Sequence, residues 1–339
     1  MRGLAALAVV LFHAHEILGW QPAPGGYLAV DLFFGLSGAV IANAYAPRLA
    51  AGLSVRGFLG RRLLRFLPLH LLGLAAGVTF AAALLAAGSP GAMSPGSIAI
   101  ATALGLCFVP SLLTHAMFPL NVPAWSLLYE LLANVGFAHL HPRITPRGLR
   151  AAAAALGVLL GIALGLHGDA DAGMTLDDAP LAALRTAFAF VVGVAWVTPG
   201  ALDPRRTPRL PLPLAMTIAL VPMTLPVTGA ARTALDLLTV LLLYPWVTSA
   251  LLREDPAGDS GTLVHRTGAA LGDASFGVYA LHWPLLWLWN GFARRLDVDP
   301  RPGVWVGIVL LIMVCAWFER AVERPWRARL AARWFPASR

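Results

Sequence analysis

Eleven apolar stretches dominate the chain, at 3–19, 26–45, 66–88, 97–115, 123–141, 149–166, 181–199, 210–228, 234–252, 273–292 and 304–322. A helix crosses a bilayer with about 20 mostly apolar residues, and hydrocarbon offers its backbone no other partners. No segment between the stretches is long enough to fold alone. The fold class that follows is all-α, a polytopic membrane helix bundle. Composition agrees: 58% of the 339 residues are hydrophobic and 12% are charged, against about 25% charged in soluble domains. A disordered chain and a disulfide-stapled secreted domain are excluded on this ground. The two cysteines, Cys107 and Cys315, lie inside apolar runs and have no metal-binding spacing. The first stretch reads as a helix rather than a cleaved leader, because it lacks a small-residue cleavage site and carries polar residues.

All 25 basic residues are arginine. With no lysine, Schiff-base chemistry is out. The net charge of +8 does not point to nucleic acid, since the arginines cluster in short loops between apolar stretches, the pattern of cytoplasmic membrane loops. Such clusters occupy 46–65, 142–150, 199–209 (Arg205, Arg206, Arg209) and the end of the chain after 319, to Arg339. The loop 167–180 has four Asp and no Arg, and is expected outside. Both termini are then expected in the cytoplasm, and the protein in the cell inner membrane. Three stretches (66–88, 97–115 and 123–141) lie between two cytoplasmic loops, where an even number of crossings is required. One is expected to be re-entrant or half-inserted, near Pro110, Pro119 and Pro123. The expectation is about ten transmembrane helices.

Ionisable residues inside apolar stretches mark function. Arg2 and His13 are eleven positions apart, on one helix face and about 16 Å apart along the axis. Asp31 is the only acid between Glu16 and Glu130, and a lone carboxylate in hydrocarbon needs a partner. His13 is the expected one, in an Asp–His pair that orients the ring as a base. Arg62 and Arg65 share a face one turn apart, and their guanidinium forks suit phosphate. Glu130 follows Trp125-Ser126-Leu127-Leu128-Tyr129, and Tyr279 and His282 share a face at i, i+3.

In this order the pieces resemble acyltransferase family 3, the integral-membrane enzymes that O-acylate carbohydrates. Arg2 with His13 resembles the Arg-x10-His signature. Residues 26–38, Gly-Tyr-Leu-Ala-Val-Asp-Leu-Phe-Phe-Gly-Leu-Ser-Gly, resemble the second-helix motif, and Arg62-x-x-Arg65 before Pro68 the third. The matches at 125–130 and 279–284 are looser. The resemblance implies a membrane acyltransferase domain over 1–327 with a cytoplasmic tail at 328–339, of the stand-alone type without a fused esterase-like domain. It implies an acyl-CoA, usually acetyl-CoA, as co-substrate, with no cofactor held tightly. It also implies transfer to a hydroxyl of a carbohydrate or lipid-linked glycan of the cell envelope.

In mechanistic terms His13 is the candidate base, or acyl carrier, supported by Asp31. Arg2, Arg62 and Arg65 are candidates for the CoA phosphates, and Tyr129, Glu130, Tyr279 and His282 for the acceptor pocket or oxyanion site. No GxSxG elbow or polar-set cysteine argues for a Ser or Cys acyl-enzyme, and no metal site is expected. The alternative class is a proton-coupled transporter using the same buried His, Asp and Arg.

Overall fold

The computed structural model describes residues 1–207, 210–253 and 263–334; Arg209, Arg339 and the rest of the tail beyond 334 lie outside the described residues. The chain begins with α1 (Arg2–His13) and the short α2 (His15–Leu18), followed by α3 (Ala29–Ala50), α4 (Val55–Ala86), α5 (Pro95–Leu106) and α6 (Trp125–Leu140). It continues through α7 (Pro146–His167), α8 (Ala179–Val197), α9 (Leu212–Thr224), α10 (Gly229–Leu238) and α11 (Tyr244–Leu251). It ends with α12 (Leu263–Arg295), α13 (Arg301–Phe318) and α14 (Arg324–Trp334). Turns of π-helix at Thr239–Leu243 and Glu319–Glu323 join α10 to α11 and α13 to α14. Among the described residues there is no strand, only an isolated bridge between Ala116 and Thr175.

Each of the eleven apolar stretches carries a helix. Local chemistry starts several of them: Ser54, Ser94 and Thr145 cap α4, α5 and α7 by accepting from the backbone N–H three residues on, and Pro95 and Pro146 occupy the first turns. By length and apolarity six helices among the described residues can cross a bilayer: Gly26–Ala50, Val55–Ala86, Pro146–His167, Ala179–Val197, Gly229–Leu251 and Arg301–Ala331. That is fewer than the ten expected. The shortfall has physical sources: α1, α5 and α9 are short, and α12 breaks its apolar run with Asp273, His282 and Asn290.

The packing is that of a bundle in lipid. Small residues allow close crossings inside. A Cβ on Gly193 of α8 would lie 2.0 Å from the Gly35 carbonyl oxygen of α3, so backbone meets backbone there. Large apolar side chains cover the outside, among them Val306, Leu310, Val314 and Trp317 on α13.

The stretches 97–115 and 123–141 are halves of one path rather than separate rods. α5 descends α4, its Ile98 and Ala101 packing near Ala81 and Leu74, and ends where His70 Nε2 meets the Gly105 carbonyl at 2.8 Å and the His70 ring stacks on Phe108. Phe108 turns the chain with φ of 55°. Residues 107–121 then turn back along α4, and Leu120 lies against Gly77, about two turns from His70. α6 continues down α4, placing Glu130 on Arg62 and Phe137 beside Phe58. The break is buried only in part, with Phe108, Met117, Phe118 and Leu120 inside and Leu112 and Leu113 exposed. The proline-rich break was expected here, and its neighbours explain it.

Candidate active site

Two polar centres sit at opposite ends of α1. At its N-terminal end a cavity of about 490 Å³ is lined by Arg2, Arg61, Arg62, Arg65 and Arg327, with Glu130 and Ser37. Arg62 Nη2 bonds Glu130 Oε1 at 3.0 Å, and Ser37 Oγ donates to the same oxygen at 2.6 Å. The guanidinium of Arg62 lies over Phe66 and that of Arg65 over Phe276, at 5.0 and 6.0 Å from the ring centres. Arg327 is held by Glu319 at 2.6 Å. The cavity therefore offers several guanidinium groups from three helices and one carboxylate, a site for an anion of more than one charge.

At the other end of α1, the ring of His13 lies 5.3 Å from that of His282 in α12, with the edge of Phe12 beside it. His282 is fully buried. Its Nδ1 contacts the Tyr279 carbonyl oxygen at 2.7 Å. A carbonyl only accepts, so this nitrogen carries the proton and the neutral ring presents Nε2 as a lone pair. That Nε2 has no partner. One turn back, the Tyr279 hydroxyl meets Ser126 Oγ at 2.7 Å, and Asn121 Nδ2 donates to Ala280 O at 2.9 Å. The motif around Ser126 and the motif around Tyr279 thus close on each other across the break between α5 and α6.

Asp31 is not the partner of His13. Both of its oxygens are taken by Arg185 of α8, at 3.1 Å from Nε and 2.5 Å from Nη2, with both side chains 1% exposed. Arg185 also donates to Ala172 O and Tyr27 O. The cause is the tight α3–α8 crossing, which turns Asp31 toward α8 rather than toward α1. The expected Asp–His pair is corrected accordingly. Glu130, expected near the acceptor, lies in the arginine cavity. Tyr129 donates its hydroxyl to Ala179 O at 2.9 Å and ties α6 to α8. Arg2 of α1 joins Arg62 and Arg65 of α4 in this cavity, and His13, Tyr279 and His282 form the second centre.

The reading of the sequence passed over Arg185, Arg61 and Arg327. Arg185 stands alone in an apolar stretch, the same signal that singled out Asp31. Arg327 looked like one more charge of the terminal helix. A further buried set passed over joins Asp236 to Tyr27 Oη at 2.8 Å, to the Ala170 N–H at 2.8 Å and to Arg232.

The acyltransferase 3 family, described as an acyltransferase domain, matches residues 1–320. The chain is also similar to "Protein 2 in picA locus" of Rhizobium radiobacter, 40% identical over 157 residues, which cover 43% of this chain and 81% of that protein. No solved structure matches. With the matched region holding both polar centres apart from Arg327, the chain belongs to acyltransferase family 3 and is a multi-pass membrane acyltransferase.

Proposed function

We propose that the protein transfers an acyl group from acyl-CoA to a hydroxyl of a carbohydrate or lipid-linked glycan of the cell envelope. The observation that carries this reading is the placement of the arginine cavity and the histidine pair at the two ends of one helix. Arg2 and His13 are eleven positions apart, about 16 Å of helix. A CoA ester has the matching form: phosphates at one end, a thioester at the tip of a long arm. Arg2, Arg62 and Arg65 bind the phosphates, and the thioester carbon reaches His13.

There His13 accepts the proton of the acceptor hydroxyl while the oxygen attacks the thioester carbon. The new C–O bond forms, the C–S bond breaks, and the proton passes to the departing sulfur. Asp31 supports this only through the fold, by holding α3 to α8. The arginine cavity faces the cytoplasm, where acyl-CoA is made, both termini lie on that side, and the membrane is the inner one.

The test uses membranes containing the protein, labelled acetyl-CoA, and envelope saccharides as acceptor. His13→Ala is expected to lower the transfer rate by about 10²-fold or more. Arg65→Gln is expected to raise KM for the donor by about tenfold, with less change in kcat, since a phosphate contact is made equally before and during reaction. Full activity in His13→Ala removes His13 as the base. An unchanged KM in Arg65→Gln removes the phosphate site.

A further inference from the structure

With both oxygens of Asp31 committed to Arg185, no hydrogen bond to another described residue fixes the ring of His13. A neutral imidazole left to itself divides between two tautomers, and only one of them presents a lone pair to a given proton. A histidine base works best when a fixed acceptor holds its other nitrogen. The neighbour able to do this is His282. Its Nδ1–H is bound to the Tyr279 carbonyl at 2.7 Å, which fixes the ring and leaves the lone pair on Nε2. That nitrogen is buried from solvent and has no hydrogen-bond partner. No ligand from solution reaches it, so only a side chain already beside it can relieve its isolation. The Tyr279 hydroxyl is committed to Ser126 Oγ at 2.7 Å and to Pro123 O at 3.3 Å. The ring of His13 lies 5.3 Å from that of His282, tilted by 34°.

That separation is the one a hydrogen-bonded pair of imidazoles has. An N–H···N bond of about 2.9 Å, with each nitrogen about 1.1 Å from its ring centre, puts the two centres about 5.2 Å apart. A turn of the His13 ring therefore suffices to make the bond, with α1 and α12 staying where they are. Hydrogen bonds of catalytic groups are often misaligned before substrate binds and tighten afterwards. We propose that His282 is the positioning residue of His13: one nitrogen of His13 donates its proton to the Nε2 lone pair of His282, and the other faces the acceptor hydroxyl. This inference rests on the reading of His13 as the base. The proton taken from the hydroxyl stays on His13 until it passes to the departing sulfur. The bond between the rings is kept throughout, and His282 neither gains nor loses a proton. A neutral lone pair holds the ring without bringing a second charge into the apolar interior. The bonds from Tyr279 to Ser126 and from Asn121 to Ala280 fix the turn of α12 that carries this lone pair.

Leucine and glutamine at position 282 separate positioning from packing. Both approximate the volume of histidine, but only glutamine can set an acceptor oxygen near the place of Nε2. In membranes with labelled acetyl-CoA and envelope saccharides, His282→Leu is expected to lower kcat by about tenfold or more and to leave KM for the donor within about twofold. His282→Gln is expected to recover most of the loss. In a His13→Ala background His282→Leu is expected to lower transfer no further, because nothing remains to be positioned. Nitrogen-15 spectra of the histidine rings in nanodiscs need no change at 282. With His13 assigned by the loss of its signals in His13→Ala, the unaltered protein is expected to show one protonated and one bare nitrogen at His13.

Equal loss in the leucine and glutamine variants, or the same further loss in the His13→Ala background, gives His282 a packing role and overturns the proposal. Unchanged kcat in His282→Leu overturns it as well, and so do averaged nitrogen signals for His13 in the unaltered protein. These outcomes leave His13 as the base and the acyl-CoA reading standing. Full transfer in His13→Ala removes the base and the need to position it, and absence of transfer from acetyl-CoA by the unaltered protein fails both readings together.

Discussion

Asp31 and Arg185 are the clearest case of a residue pair whose meaning depends on its partner. Both are in the bundle interior and both carboxylate oxygens are occupied. Removing one charge of a buried pair leaves the other uncompensated, at a cost of about 3–5 kcal/mol, whereas replacing both with apolar groups of similar volume costs far less. Asp31→Asn is therefore expected to lower the unfolding temperature sharply, and the double variant Asp31→Leu with Arg185→Met to regain most of it. Thermal unfolding in detergent checks this. Loss of transfer in Asp31→Asn with unchanged unfolding temperature would instead give Asp31 a chemical role. The sequence marked Asp31 as needing a partner, because a lone acid in an apolar run is legible as such. Which helix supplies the partner depends on rotation about the helix axis, and the lone Arg185 was the available clue. His13, Arg2, Arg62 and Arg65 were legible through spacing on a shared face. Arg327 was not, since a cavity formed by helices far apart in the chain leaves no local pattern.

At the scale of elements, apolar runs give the number and order of helices and say little about where each stops. The break at 107–121 depends on His70, Phe108 and Gly77, contacts between segments that no periodicity contains. Where helices touch backbone to backbone, one methyl group is decisive. Gly193→Ala sets a Cβ at 2.0 Å from the Gly35 oxygen, so α3 and α8 must separate. The expected cost is about 1–3 kcal/mol, as for other overpacked interiors. Gly165→Ala in α7 has open space around it and is expected to be neutral or slightly stabilising, because alanine favours helix over glycine. Thermal unfolding of the two variants side by side separates these outcomes. Equal behaviour would show that the crossing can relax.

For the molecule as a whole, the arginine loops predict orientation independently of any mechanism. In a variant lacking Cys107 and Cys315, a cysteine at Asp177, an exposed position of the loop before α8, is expected to react with an impermeant maleimide in intact cells. A cysteine at Ala51, exposed between α3 and α4, is expected to react only after permeabilisation. The reverse pattern would place the arginine cavity outside, away from CoA. Orientation also gives meaning to the spacing along α1. Its arginine and its histidine ride on one rigid rod, so under the proposed function the helix is a ruler set against the arm of the donor. Exchanging one side chain of the rod for another leaves the scale unchanged. Adding or deleting a single residue moves one mark by about 1.5 Å and swings it about 100° around the axis, off the face it shares with the other. The number of residues between the two marks is fixed by the rod, and several of their side chains, Ala5, Ala6 and Val9 among them, are fixed as well by burial.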